Sequence, residues 1–215
     1  MTSINRLKHI TSATLFAMAT ALAAPAHALD VQIQEGAAVK FPKGLKWEPM
    51  AKTVVSHPRM EWDEKTQLLA GTATPQERKT TIALWQDKIH KNLGDAGVEL
   101  LLKQIKTQGG VYMVSGMYTH STCWSSATGN PVGNKCVTQI RFVPDNAPPS
   151  SAAALTACMY SGMPRKAQDL YGEDDVFFDK NRPEVAFDSK NKTIYMRNLE
   201  DGKTVQSCNR KIVLK

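Results

Sequence analysis

Tyr118, His120, Trp124, Gln139 and Arg141 are the side chains of this sequence best suited to act as a group. An imidazole titrates near neutral pH and can move a proton, while a guanidinium and a carboxamide can hold an anion. Two aromatic rings add contact area. Their proximity follows from a strand pairing: Val111 to Trp124 and Cys136 to Val143 read as antiparallel strands around a loop containing Gly129-Asn130-Pro131 and Gly133-Asn134. If Cys123 lies opposite Cys136, the constant index sum of antiparallel partners sets Met117 against Phe142, Thr119 against Ile140, Tyr118 against Arg141 and His120 against Gln139. Met113, Met117, Ile140 and Phe142 would then line a core face, and the polar and aromatic set the other. Such a face can bind a partner as it stands. To act as an enzyme it would need His120 as general base, with a second polar side chain in reach inside a concave pocket.

Other motifs do not survive their context. Asp201-Gly202-Lys203-Thr204 ends like a phosphate-binding loop, but Arg197 stands where the first glycine is required, and the surroundings are a hairpin turn. Ser189-Lys190-Asn191-Lys192 matches Ser-x-x-Lys in letters only, because it falls in a turn rather than at a helix start. Glu173, Asp174, Asp175, Asp179 and Asn181 offer oxygen ligands without the spacing of a calcium loop, and read as an acidic surface loop. No Cys-x-x-Cys occurs, so no metal centre is expected, and no cofactor motif is present. His57 and His90 read as loop and helix-boundary residues.

The elements that must position the set begin at Thr74-Pro75-Gln76-Glu77, a capping box with proline at the first helical position. Ile82, Trp85, Ile89 and Leu93 follow as an apolar stripe, and Gly94 ends or bends the helix. Asp95 caps a second expected helix carrying Val98, Leu101, Leu102 and Ile105, which stops before Gly109-Gly110. Ahead of these, Val31 with Ile33, and Val54 with Val55, suggest short edge strands. Met60 to Thr72 reads as a hairpin. Residues 144–151, with Pro148-Pro149, form a linker or long loop, Ala152 to Tyr160 a short helix, and Glu184 to Leu214 a β-meander. The fold expected is α+β: a helical hairpin packed on a mostly antiparallel, disulfide-braced sheet, in one domain from Leu29 to Lys215.

Location is read from the N-terminus. Arg6 and Lys8 precede an apolar stretch from Ala13 to Ala24, and Ala26-His27-Ala28 offers a small-x-small cleavage site, so residues 1–28 read as a removed export signal. The stretch falls short of the about 20 residues that cross a bilayer. Losing Arg6 and Lys8 lowers the formal charge from +7 to +5, with basic and acidic residues interleaved. Four cysteines, Cys123, Cys136, Cys158 and Cys208, fit an oxidising compartment. Their spacing favours Cys123 with Cys136 and Cys158 with Cys208, bridges contributing about 3 and about 4 kcal/mol in the chain-entropy model. The function expected is that of a periplasmic or secreted, non-catalytic binding or accessory protein. Its partner would be a protein or an anionic envelope component and not nucleic acid. The competing expectations are a small hydrolase or transferase using His120, and a structural subunit of an envelope assembly.

Overall fold

A computed structural model describes residues 28–55, 72–92, 98–118, 135–158 and 182–215, with backbone alone at 90–92. The capping box forms. The Thr74 N–H donates to Glu77 Oε2 at 2.9 Å and the Glu77 N–H donates to Thr74 Oγ1 at 3.3 Å, so two N–H groups that open a helix unpaired find acceptors. Helix α1 runs Pro75–Asn92. Its buried face is Thr81, Trp85 and Ile89, at four-residue steps, and Ile82 of the expected stripe is exposed.

The second helix of the expected hairpin is a strand, which overturns the α+β reading. In place of Asp95 to Ile105 as a helix, the chain forms β4 (Val98–Thr107), paired along its length with β5 (Gly110–Tyr118). Val98, Leu101, Leu102 and Ile105 do recur at helical steps, but every residue from Val98 to Leu102 is buried. A strand covered on both faces reads as a continuous apolar run, and such a run mimics a helical stripe over one or two turns. Gly109 and Gly110 therefore serve a hairpin turn. At Gly110 a β-carbon would stand 2.5 Å from the Val143 carbonyl oxygen and 2.8 Å from Pro144 Cα, so only glycine lets the neighbouring strand approach. The architecture is mostly β: two antiparallel sheets, with α1 the single α-helix among the described residues.

One sheet holds β1 (Val31–Glu35), β2 (Glu48–Pro49), β8 (Pro183–Asp188), β9 (Thr193–Glu200), β10 (Lys203–Thr204) and β11 (Arg210–Leu214). Its order is β1-β11-β9-β8-β2, with β10 also on β9. The other runs β3-β4-β5-β6-β7, where β3 is Ala51–Val55, β6 Lys135–Pro144 and β7 Ala153–Cys158. The short edge strands expected at Val31 and Val54 are β1 and β3. The expected meander forms as β8, β9 and β11, broken by a 3-10 turn at Gln206–Cys208. Its turns are hairpin turns: Asp201 and Gly202 both have positive φ, 49° and 77°, as a two-residue connection requires. The helix expected over Ala152 to Tyr160 is β7 where described. There Leu155 and Ala157 point inward at strand spacing and tertiary burial overrides the helical preference of alanine.

The main core lies between the sheets, where Leu101, Ile105, Val114, Ile140 and Leu155 meet Val185, Ile194, Met196, Ile212 and Leu214. On the outer face of the β3–β7 sheet, Trp85 and Ile89 of α1 pack on Val98, Leu100 and Met117. The Trp85 indole N–H donates to Ser115 Oγ at 2.8 Å, and that hydroxyl donates to the Leu101 carbonyl at 2.7 Å. At the β7 side the sheets are stapled. Cys158 and Cys208 form a disulfide. Beside it the fully buried Arg210 of β11 donates from Nε to the Thr156 carbonyl of the opposite sheet at 3.1 Å, and from Nη1 to the Ser207 and Asn209 carbonyls. Burial pushes this guanidinium below its ordinary pKa, opposed by Glu35, whose carboxylate is 3.1 Å from Nη2.

Candidate functional site

The shared face expected for Tyr118, Gln139 and Arg141 does not form, because β5 and β6 pair in a different register. Met117 lies opposite Val137 rather than Phe142, Ser115 opposite Gln139, and Met113 opposite Arg141. The slip from the disulfide-based alignment is five residues. An odd slip exchanges the faces. Tyr118 now packs against the core between the sheets. Gln139 is on the helix side, where its Nε2 donates to the Leu84 carbonyl at 3.1 Å. Arg141 shares that side through its pairing with Met113, and its buried Nε has no acceptor among the described residues. His120, Trp124 and Cys123 lie outside the described residues. Cys136 is fully buried and disulfide-bonded. The close approach at Gly110, together with burial of both faces, sets this register.

A different site arises where the strands change sheets. The chain leaves the first sheet at Pro49 and enters the second at Ala51, with the Met50 N–H donating to the Pro183 carbonyl at 3.3 Å. As a result β3 pairs with β4 only from Leu102 back to Val98, whereas β5 accompanies β4 from Glu99 to Thr107. Among the described residues, 103–107 of β4 thus have a strand neighbour on one side only. In an antiparallel ladder alternate residues turn both backbone groups to the same side, so every second residue here directs an N–H and a C=O at the open edge. That edge opens into a cleft of ≈ 550 Å³ lined by Lys46, Glu48, Glu77, Lys103, Gln104, Ile105, Lys106, Val185 and Phe187.

The cleft combines an apolar floor with a charged rim. Ile105, Val185 and Phe187 belong to the core between the sheets and surface at its end. On the rim, Lys103 Nζ donates to Glu48 Oε2, and Lys46 Nζ lies 3.2 Å from Glu48 Oε1. The Lys103 hydrogen bond, then the one from Lys46, hold the Glu48 carboxyl below the ordinary carboxylate range. Glu77 accepts from Thr74 in the capping box. Both carboxylates of the cleft are therefore engaged, and Lys106, exposed on β4, adds a cation beyond the two that Glu48 holds.

Two other polar clusters are self-satisfied clamps. Glu184, 3% exposed, accepts two bonds from Arg182 on one oxygen and two from Arg197 on the other, at 2.6–3.0 Å. The Arg197 guanidinium lies over the Trp47 ring at 4.2 Å, and Phe41 meets that ring edge-on at 4.9 Å between centroids, which fastens the β1–β2 connection onto the outer face of its sheet. Lys52 and Glu99 form a buried ion pair at 3.1 Å between β3 and β4. No group of three or more His, Cys, Asp or Glu residues suited to a metal ion occurs among the described residues.

Sequence reasoning missed the cleft because none of its features is local. The open edge exists only because β3 stops where the chain crosses between sheets. Lys103-Gln104-Ile105-Lys106 shows no period-2 alternation, so the segment carries no local signal against its helical reading. Among the described residues, a two-sheet sandwich with one α-helix on its outer face and a cleft at the strand crossover defines the class of architecture. No protein-family model, curated protein or solved structure matches the chain.

Proposed function

We propose that this is an exported, non-catalytic binding protein of the bacterial envelope whose partner is held in the cleft beside β4. The observation that carries the reading is the edge of β4 at 103–107 that faces away from β5, which no described strand covers, lying between an apolar floor and a lysine-rich rim. Small-molecule and peptide sites share this combination of apolar lining and a few placed polar groups. The N-terminal leader and the Cys158–Cys208 disulfide are compatible with an oxidising compartment. No described helix is long and apolar enough to cross a membrane.

The test is native purification of the mature protein from its own envelope, side by side with a Lys106→Glu variant. A partner recovered in fixed ratio with the wild-type protein and lost from the variant supports the reading. Recovery of both as lone monomers that turn over a substrate contradicts it.

A further inference from the structure

We propose that the cleft takes its partner by strand addition: an extended protein segment, alternating acidic and apolar residues, pairs along the open edge of β4 as a continuation of the line of β3. The proposal rests on the binding reading above and names the partner's chemistry. Residues 103–106 of β4 span about 13 Å, the length of four residues of a partner strand. Beyond Leu102 there is no β3 residue to occupy that line. An added strand would therefore gain main-chain hydrogen bonds that no described element makes, and these supply affinity independent of sequence.

Side-chain chemistry selects the segment. Alternate residues of a strand point to opposite faces. On one side of the new strand lie Ile105, Val185 and Phe187, which suit apolar residues. Around it stand three lysines, Lys46, Lys103 and Lys106, against Glu48 and Glu77; Lys46 and Lys103 are both held by Glu48, so the net excess of one positive charge leaves Lys106, on the face of β4 opposite Ile105, as the cation outside that pair. The excess is positive, so the residues between the apolar ones are acidic. A basic segment would meet like charges, which is a means of rejecting it.

The experiment pans a phage-displayed library of random dodecapeptides against the immobilised mature protein, and resynthesises the enriched peptides with N-methyl groups at every second backbone nitrogen. The expected result is enrichment of alternating acidic and apolar sequences. Their binding should weaken at least about tenfold on N-methylation in one of the two alternating phases, and by a similar factor in the Lys106→Glu protein. Lys106 is exposed, so that variant keeps the fold; a circular dichroism spectrum like that of the wild type confirms it. Failure to enrich any peptide, enrichment of basic ones, or indifference to N-methylation in both phases overturns strand addition. So does binding to phosphatidylglycerol vesicles without peptide binding, which would make the occupant a lipid headgroup. A partner retained in native purification while the panning fails would overturn the strand and leave the binding reading standing.

Discussion

Lys103 of β4 and Glu48 of β2 are ion-paired between strands that belong to different sheets. The pair ties the two sheets together at the mouth of the cleft, on the side opposite the Cys158–Cys208 and Arg210 staples. It also fixes which cations remain available to a ligand. Glu48 is satisfied from within, and Lys106 is left outside that pair.

This pair makes the cleft sensitive to acid. The pKa of Glu48 is lowered in the folded chain, so its contribution to stability is present above the ordinary carboxylate pKa of 4.5 and is lost as pH falls through the lower folded value. Glu48 is 39% exposed in its side chain, so the contribution is small and screened by salt. Urea midpoints of wild type and Glu48→Gln should differ at pH 7 and converge below pH 4.5. A difference that persists unchanged in acid contradicts the assignment.

The Cys158–Cys208 bridge spans a sequence separation of 50 and joins β7 to the chain entering β11. Chain entropy alone assigns such a loop about 4 kcal/mol. Cys158→Ala with Cys208→Ala should therefore lower the unfolding free energy by about that amount in non-reducing urea titrations. A loss under about 1 kcal/mol would mean that Arg210 and the core already hold this side closed.

Trp85 anchors α1 through both its volume and its indole N–H. It is 1% exposed, and Ser115 is its hydrogen-bond acceptor. Trp85→Ala should cost about 3–5 kcal/mol. Ser115→Ala, which leaves the buried N–H unsatisfied, should cost about 1–3 kcal/mol. The check is a lower urea midpoint with an unchanged slope, and a neutral Ser115→Ala would contradict the buried bond.

Legibility in the sequence followed locality. Thr74 and Glu77 are three residues apart and made the helix start readable. The hairpin between β8 and β9 was readable for a similar reason: Asp188 accepts from the Lys190 and Asn191 N–H groups within its own turn. By contrast, the strand identity of Val98 to Leu102 depends on α1 on one face and β8, β9 and β11 on the other. Of those partners β8, β9 and β11 lie far away in sequence. The register of β5 on β6 failed for a related cause, since alignment from Cys123 and Cys136 ignored the contact at Gly110 against Val143 and Pro144. Tyr118 was consequently placed with Gln139 and Arg141, on the wrong face. The cleft was illegible because it is a gap, created by where β3 ends.

The most direct test of the account is residue-resolved amide hydrogen exchange across 103–106 in the mature protein, alone and with a selected acidic peptide. In the free protein, alternate amides of this stretch should exchange rapidly while their neighbours, bonded to β5, are protected. On peptide addition the rapid ones should slow by at least about tenfold. Uniform protection in the free protein, or no slowing at these amides with peptide bound, would contradict the open edge and its use.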